Sequence, residues 1–311
     1  MPPSRAASKA LSMSATDWLL LLVLSVLWGG SFYFAKIAVL EIPPLTLALG
    51  RVAIAASALA IFARAIGAPF PRDAKAWSQL TVMAVFNNVL PFTLLFWGQI
   101  HISIGLASIL NATSPLFGVL VAHVMTQDDK LSVGRIVGLI AGFTGVVVLI
   151  GPDMLSDLGA NVLAELACLA AAAFYAFGAV FSRRVRGVPP VMMATGQLTM
   201  STVLLLPVVL LFDRPDTFLT ASRTAIWAMV SLALLSSALA YLIYFRLIAR
   251  AGAINALIVT FLLPVSAILL GIVLLNEIVD ARQIAGMAAI FIGVAAIDGR
   301  AARFIARTVR R

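Results

Sequence analysis

Ten long apolar stretches, separated by short polar connections, restrict what this chain can fold into. A helix that crosses a bilayer needs about 20 consecutive, mostly apolar residues. The candidate spans are 17–36, 45–64, 77–98, 104–125, 134–151, 160–181, 191–212, 225–246, 254–275 and 282–299. Strands of a membrane barrel would alternate apolar and polar residues. The continuous runs therefore predict an all-α membrane protein with ten transmembrane helices.

The composition supports a membrane protein. Of the 311 residues, 62% are hydrophobic and 11% are charged, whereas soluble domains carry about 25% charged residues. A soluble chain of this composition could not cover its surface with polar side chains. The polar start leads into the first run without a cleavage site of the A-x-A type, so we predict that residues 1–16 form an uncleaved cytoplasmic tail.

The positions of the basic residues predict the orientation. Seventeen of the 22 Lys and Arg precede the first run or follow an even-numbered run. By the positive-inside rule, both termini are expected in the cytoplasm. The net charge of +9 then reflects topology and predicts no nucleic-acid partner. The basic tail 300–311 is expected to contact anionic lipid, and the lack of a targeting extension favours the bacterial inner membrane.

The two halves of the chain are related by an internal repeat at an offset of 146–150 residues. PPLTLALGR (43–51) matches PPVMMATGQ (189–197), and GVVVLI (145–150) matches GVAAID (293–298). Other matched pairs are Trp28 with Tyr175, Lys36 with Arg183, Pro115 with Pro264, and Gly138 with Gly286. We therefore predict a first unit at 17–152 and a second at 153–299. Each unit has five helices, an odd number, so the second copy enters the membrane inverted.

Inverted repeats are the geometry of alternating-access carriers, with the substrate site at the repeat interface near the midplane. The repeat therefore predicts a secondary transporter. Duplicated membrane folds also serve as channels, enzymes and scaffolds, so a membrane-embedded enzyme and a non-transporting receptor stay as alternatives. The chain lacks the G-x-x-x-x-G-K and H-E-x-x-H motifs and has one cysteine, Cys168. We accordingly predict no enzyme activity, no cofactor and no metal.

Several segments resemble the EamA-type transporters of the drug/metabolite transporter superfamily. They include LWGGSFYFAK (27–36), PPLTLALGR (43–51), ASILNATSPLFGVL (107–120) and GRIVGLIAGFTGVVVL (134–149). The resemblance covers about residues 17–299 and is nearest to the aromatic amino-acid exporters. It implies a ten-helix bundle around a central cavity and export of amino acids or other small metabolites. The motifs are structural, so nucleotide-sugar and drug carriers of the same superfamily remain alternatives.

Arg51 is the most conspicuous candidate for substrate binding. It lies seven residues beyond Pro44, about 10 Å into the second helix at 1.5 Å per residue. A guanidinium pairs with a carboxylate through two hydrogen bonds, so Arg51 could anchor a substrate carboxylate. The alternative is an arginine that reaches the outer surface or pairs with Glu41. Gln197 occupies the matched position in the second half.

Aromatic and amide side chains at mid-membrane are the other candidates for lining a cavity. Buried tyrosine and tryptophan need hydrogen-bond partners, and amides in hydrocarbon either join helices or face water. The candidates are Trp28, Asn87, Asn88, Gln99, Asn111, Tyr175, Ser237, Tyr241 and Tyr244. We expect a small neutral or zwitterionic substrate, because few cations lie inside. The other expected partner is the lipid bilayer, and the chain is expected to act as a monomer.

Pro115 and Pro264 are matched prolines deep in the fourth and ninth helices. Proline removes a backbone hydrogen bond and kinks a helix. The pair is expected either to bend at a gate or to fix the curvature around a cavity. Glu165 is the acid nearest membrane depth, and we expect it to be structural rather than a proton site.

Overall fold

The computed structural model describes residues 13–126, 133–151, 158–213, 217–266 and 281–298. Every regular element in these ranges is a helix, and each predicted run falls on one, the ninth only as far as residue 266. In chain order the helices are α1 (Ala15–Val39), α2 (Pro44–Ala65), α3 (Ala74–His101), α4 (Ile104–Met125), α5 (Val133–Ile150), α6 (Val162–Ser182), α7 (Pro190–Phe212), α8 (Arg223–Ala251), α9 (Ala253–Ser266) and α10 (Ala281–Asp298), with a single turn at Thr217–Thr220 before α8.

Seven of these helices, α1–α4 and α6–α8, are long and apolar enough to cross a membrane. Shorter apolar helices lie within α5, α9 and α10 in the described part of the chain. The protein is therefore an all-helical multi-pass membrane protein. The figure of ten spans stays a prediction, and the tails 1–12 and 300–311 lie outside the described residues.

Local sequence explains where several helices begin. Pro44 and Pro190 occupy the first turns of α2 and α7, where a missing N–H costs nothing. The Ser14 hydroxyl accepts from the Asp17 N–H while the Asp17 carboxylate accepts from the Ser14 N–H, which makes a capping box for α1. The Ser222 hydroxyl caps α8 by accepting from the Ala225 N–H, while the Ser222 N–H donates to Glu41.

Helix α4 is broken rather than bent at its proline. It consists of two segments, Ile104–Asn111 and Ser114–Met125, and Pro115 lies in the first turn of the second. The hydroxyls of Thr113 and Ser114 donate to the carbonyls three residues earlier, at 2.6 and 2.7 Å. The Ser114 bond satisfies the Asn111 carbonyl, whose helical partner would be the N–H that Pro115 lacks, and the Thr113 hydroxyl joins the Thr113 N–H on the Leu110 carbonyl.

The matched proline in the second half has a different setting. Pro264 is buried inside the helical segment 259–266, and the interruption in α9 falls at residue 258 instead. Two leucines precede Pro264, where Thr113 and Ser114 precede Pro115, so no adjacent hydroxyl can cap a break at that point. The two prolines therefore lie in different local settings, and their role in gating or curvature stays a prediction.

Helices α3 and α8 each contain a π-helical turn that the sequence pattern does not predict. The turns are Val85–Val89 in α3 and Leu234–Leu239 in α8, and they occupy matched positions of the repeat. A π turn inserts one residue into an α-helix and frees backbone groups there, and such turns often occur at functional sites. Four buried polar residues lie in them: Asn87, Asn88, Ser236 and Ser237.

The helices of the two halves pack in reciprocal pairs. Helix α2 packs on α7 and α8, while its repeat mate α7 packs on α2 and α3. At these crossings Gly50 lies against Met229 and Gly196 lies against Leu80, with the glycine and its partner exchanged between halves. Gly196 is the repeat mate of Gly50, and Leu80 is the repeat mate of Met229, so the same contact occurs twice. A twofold relation between the halves produces contacts of this kind.

Helices α5 and α10 make the closest backbone approach. Gly138 lies against the backbone of Gly293, and Gly145 lies against the backbone of Gly286. The four glycines are two matched pairs of the repeat, so this interface is also reciprocal. Small residues let membrane helices approach closely and gain van der Waals contact.

Candidate functional site

A cavity lies where α1, α2, α3, α4, α6, α8 and α9 meet. The volume of the cavity is about 70 Å³. Its lining consists of Trp28, Ser31, Phe32, Ala35, Arg51, Asn87, Phe92, Leu95, Phe96, Gln99, Asn111, Tyr175, Tyr241, Tyr244, Leu257, Thr260 and Leu263. Arg51 is the charged residue of this described lining. The cavity therefore joins residues of both halves into a largely apolar, aromatic site with one cation.

The Arg51 side chain is buried and held from two directions. Only 5% of the residue is exposed. Its Nε donates to the Ser237 Oγ at 2.7 Å, and its Nη2 donates to the Ser236 carbonyl at 3.2 Å. The guanidinium carbon lies 3.9 Å from the centre of the Phe92 ring, a cation–π distance. All of these partners are neutral.

The π turn of α8 supplies a carbonyl that binds two of the residues lining the cavity. The Ser236 carbonyl accepts from the Trp28 Nε1 at 2.9 Å as well as from Arg51. The Ser236 hydroxyl donates to the Leu27 carbonyl at 2.7 Å, which ties α8 to α1. The extra residue of the π turn thus serves to direct Trp28 and Arg51 into the cavity.

The π turn of α3 supports the opposite wall through a buried polar network. The Tyr241 hydroxyl donates to the Asn88 Oδ1 at 2.7 Å, and the Asn88 Nδ2 donates to the Ser201 Oγ at 2.9 Å. The Asn87 Nδ2 donates to the Gln197 Oε1 at 3.1 Å. Contacts of Arg51 with the α8 turn and of Gln197 with the α3 turn are therefore the two copies of one arrangement.

Aromatic rings form the rest of the wall. Trp28 packs on Tyr244 and Tyr241, with ring centres 5.0 and 6.3 Å apart. In the other half, its matched residue Tyr175 packs on Phe92 at 6.4 Å. Edge-to-face and tilted contacts of this kind stabilise aromatic clusters. A solute in the cavity would contact ring faces and edges on two sides.

Polar groups from α3 and α4 complete the lining. The Gln99 Nε2 donates to the Phe32 carbonyl at 3.3 Å. The Asn111 Oδ1 is buried and has no hydrogen-bond partner. Just outside, Lys36 donates from its Nζ to the Gln99 and Ile102 carbonyls, so it caps the C-terminal end of α3, where a cation is favourable.

Most of the predicted lining residues meet in this cavity. Eight lie on its wall: Trp28, Arg51, Asn87, Gln99, Asn111, Tyr175, Tyr241 and Tyr244. Asn88, Gln197 and Ser237 lie behind the wall, fully buried, where they hold lining residues in place. Their side chains instead contact neighbouring helices: Ser237 accepts from Arg51, Gln197 accepts from Asn87 through its Oε1, and Asn88 accepts from Tyr241, while the Gln197 Nε2 has no partner among the described residues.

Sequence reasoning missed the phenylalanines at the centre of the site. Phe92 and Phe96 both lie under the Arg51 guanidinium. One signal could have identified them: at the offset of 149 residues, Phe92 matches Tyr241 and Phe96 matches Phe245. An apolar ring in an apolar helix otherwise looks like ordinary packing.

Glu41 does not pair with Arg51. Its carboxylate instead accepts from the Ser222 N–H and Oγ, both at 2.7 Å, and so links the end of α1 to the start of α8. These hydrogen bonds hold the pKa of Glu41 below its ordinary value. No carboxylate among the described residues forms an ion pair with Arg51.

Glu165 lies nearer a helix end than its sequence position suggested. It is in the first turn of α6, and its Oε1 accepts from the Gly159 N–H at 2.7 Å. Within the described ranges, no group of three or more His, Cys, Asp or Glu side chains could hold a metal ion.

Comparison with known proteins agrees with this architecture. The model of the EamA-like transporter family matches the chain twice, at residues 17–151 and 162–297. A solved crystal structure superposes with a TM-score of 0.71 at 19% identity, over 92% of this chain and 98% of that one. The fold is thus shared with a protein of very different sequence.

Several similar proteins bear the names of transporters. An uncharacterized transporter of Archaeoglobus fulgidus is 25% identical over 89% of this chain and 96% of its own length. A probable terminal-alkyne amino-acid exporter of Streptantibioticus cattleyicolor is 27% identical over 93% of this chain and 95% of its own. A probable amino-acid metabolite efflux pump of Escherichia coli is 26% identical over 91% of this chain and 94% of its own.

Proposed function

Because this chain belongs to the EamA-like transporter family, we propose that it exports small metabolites, foremost neutral or aromatic amino acids, across the bacterial inner membrane. The observation that carries the proposal is the cavity itself, with one buried cation and an aromatic wall at the junction of the two halves. An apolar pocket with a few polar groups directed into it is what a small solute requires.

Alternating access through two inverted five-helix repeats is the mechanism that the contacts support. Units at 17–152 and 153–299, with both termini cytoplasmic, would be related by a twofold axis in the membrane plane. The contacts of Arg51 with Ser236 and of Gln197 with Asn87 join matched positions of the two halves and fit such an axis. In this scheme the cavity lies on the axis and opens to each side in turn.

Charge favours an amino acid over a nucleotide sugar. A substrate with two phosphates would need several cations, and Arg51 is the charged residue of the described lining. Two of the relatives are named as carriers of amino acids or their metabolites, which agrees with this choice.

Flux through purified protein in liposomes tests the proposal. The liposomes would be loaded singly with labelled threonine, leucine, methionine, phenylalanine, tryptophan or lysine, and downhill efflux followed with no ion gradient. We expect saturable efflux of at least one neutral or aromatic amino acid. Trp28→Ala should abolish it, whereas Tyr33→Ala on the same helix, where Tyr33 is 60% exposed, should not.

Two results would refute the proposal. One is the absence of saturable flux for every amino acid, with and without a proton gradient. The other is equal loss of flux in the Trp28 and Tyr33 variants, because it would show that the cavity has no special role.

A further inference from the structure

The Arg51 guanidinium carries a buried charge that no described carboxylate neutralises. Its partners among the described residues include the Ser237 hydroxyl, the Ser236 carbonyl and the face of the Phe92 ring. A guanidinium has five N–H donors, and these two hydrogen bonds use two of them. A buried ion without a counter-ion costs several kcal/mol. Because Arg51 lines the cavity, an anionic group placed there would offset that cost.

A second unsatisfied group lines the same cavity and has the opposite requirement. The Asn111 Oδ1 is a buried acceptor without a donor, and the residue is 5% exposed. Its own backbone carbonyl is already occupied, since it accepts from the Ser114 Oγ at 2.7 Å. An unpaired buried acceptor is unfavourable because it has lost its hydrogen bonds to water without gaining others. A solute with an N–H donor would remove this cost.

The surrounding rings suit a cation as well as an apolar side chain. Trp28, Tyr241 and Tyr244 lie together on one side of the cavity with ring centres 5.0–6.3 Å apart. The faces of such rings attract an ammonium group. The residues that line the cavity therefore include a cation that favours an anion, an acceptor that favours an N–H donor, and rings that can contact an apolar side chain.

From these contacts we infer that the cavity recognises its solute as a zwitterion, with the carboxylate on Arg51 and the ammonium on the Asn111 Oδ1. This inference rests on the proposed amino-acid transport and specifies how the substrate is selected. The polar head group fixes the orientation, and the variable side chain contacts the apolar remainder of the lining. An amine without the carboxylate would leave Arg51 without an anion and should bind weakly. An acid without the amine would leave the Asn111 Oδ1 without a donor and should also bind weakly.

Competition between close analogues tests the inference. Labelled phenylalanine flux would be measured against unlabelled phenylalanine, 2-phenylethylamine and 3-phenylpropionate, which share the ring and differ in one charged group. A parallel series would use leucine, 3-methylbutylamine and 4-methylpentanoate. Each analogue should compete at least about tenfold more weakly than its amino acid, the scale of one hydrogen bond to a charged group.

Variants of Arg51 and Asn111 test the carboxylate contact and the ammonium contact separately. Arg51→Gln introduces the side chain that occupies the matched position 197, and it should remove the discrimination against the amine. Asn111→Leu, which keeps the branching of the side chain and removes its polar atoms, should remove the discrimination against the acid and keep that against the amine. Arg51→Lys keeps the charge but loses the fork of donors, so it should retain partial discrimination.

The outcomes separate this inference from the proposed function. If wild-type protein carries phenylalanine or leucine and the matching amine or acid competes equally well, the zwitterion inference is wrong and amino-acid transport stands. If wild-type protein carries none of the amino acids, the proposed function itself is wrong. The wild-type series needs no variant, so the inference is testable even if Arg51→Gln fails to fold.

Discussion

Replacing Gly145 with alanine should loosen the α5–α10 interface by a predictable amount. A Cβ at this position would lie 2.7 Å from the Ile290 backbone N and 2.9 Å from the Gly286 backbone O. The shorter distance is about 0.7 Å less than the 3.4 Å at which ordinary van der Waals contact begins. Both atoms are backbone, so no side-chain rotation can relieve the clash and the helices must separate.

The size of the effect follows from comparison with Gly30→Ala. Gly30 is also inside a helix, but a Cβ there would meet only a Phe34 ring carbon at 3.6 Å. Both changes gain up to about 1 kcal/mol of helix propensity, so this contribution largely cancels. Overpacking costs about 1–3 kcal/mol. We therefore expect the Gly145 variant to be less stable than the Gly30 variant by about 1–3 kcal/mol, roughly a 5- to 150-fold difference in the unfolding equilibrium.

Unfolding in mixed detergent micelles with increasing SDS measures this difference. Helicity and tryptophan fluorescence would report the midpoints for wild-type protein and both variants. The Gly145 variant should unfold at a lower SDS fraction than wild type, and the Gly30 variant at the same or a higher one. Equal midpoints for the two variants would contradict the close backbone approach of α5 and α10.

Two further predictions concern hydrogen bonds away from that interface. Tyr241→Phe leaves the buried Asn88 Oδ1 without its donor, so it should cost about 1–3 kcal/mol in the same assay, whereas Tyr33→Phe should cost nothing. Because the pKa of Glu41 is lowered in the folded state, its contribution to stability is present above the ordinary pKa of 4.5 and is lost as the pH falls below it. The stability of Glu41→Gln should therefore fall less than that of wild type between pH 6 and pH 3.5, and identical profiles would contradict the link to Ser222.

The helices were predictable because the length of the apolar runs, and the residues that flank them, determine where each helix begins and ends. Pro44 and Pro190 open α2 and α7 at the positions expected from their sequences, and the serine before α8 caps it. The burial of Arg51 was also predictable from its depth in α2. Its partner was not, since nearness in sequence favoured Glu41 and tertiary packing brought the α8 turn instead.

The two π turns could not be predicted from the local sequence. VFNNV and LLSSAL are ordinary helical segments by propensity, and nothing in them requires an inserted residue. The insertion depends on what the freed groups meet, here Trp28 and Arg51 at the Ser236 carbonyl and the Tyr241 hydroxyl at the Asn87 carbonyl. These partners lie more than 100 residues away, so only the folded structure reveals them.

Reciprocal packing also determines which bodies can move. The pairs α2–α7, α3–α6, α1–α8 and α5–α10 each join one repeat to the other. A hinge that parted one repeat from the other would have to open all of these interfaces at once, including the backbone contacts of the glycines. We expect the moving bodies to contain helices from both repeats, which slide past one another as intact cross-repeat pairs. We therefore expect the cross-repeat pair, rather than the single repeat, to be the unit that moves.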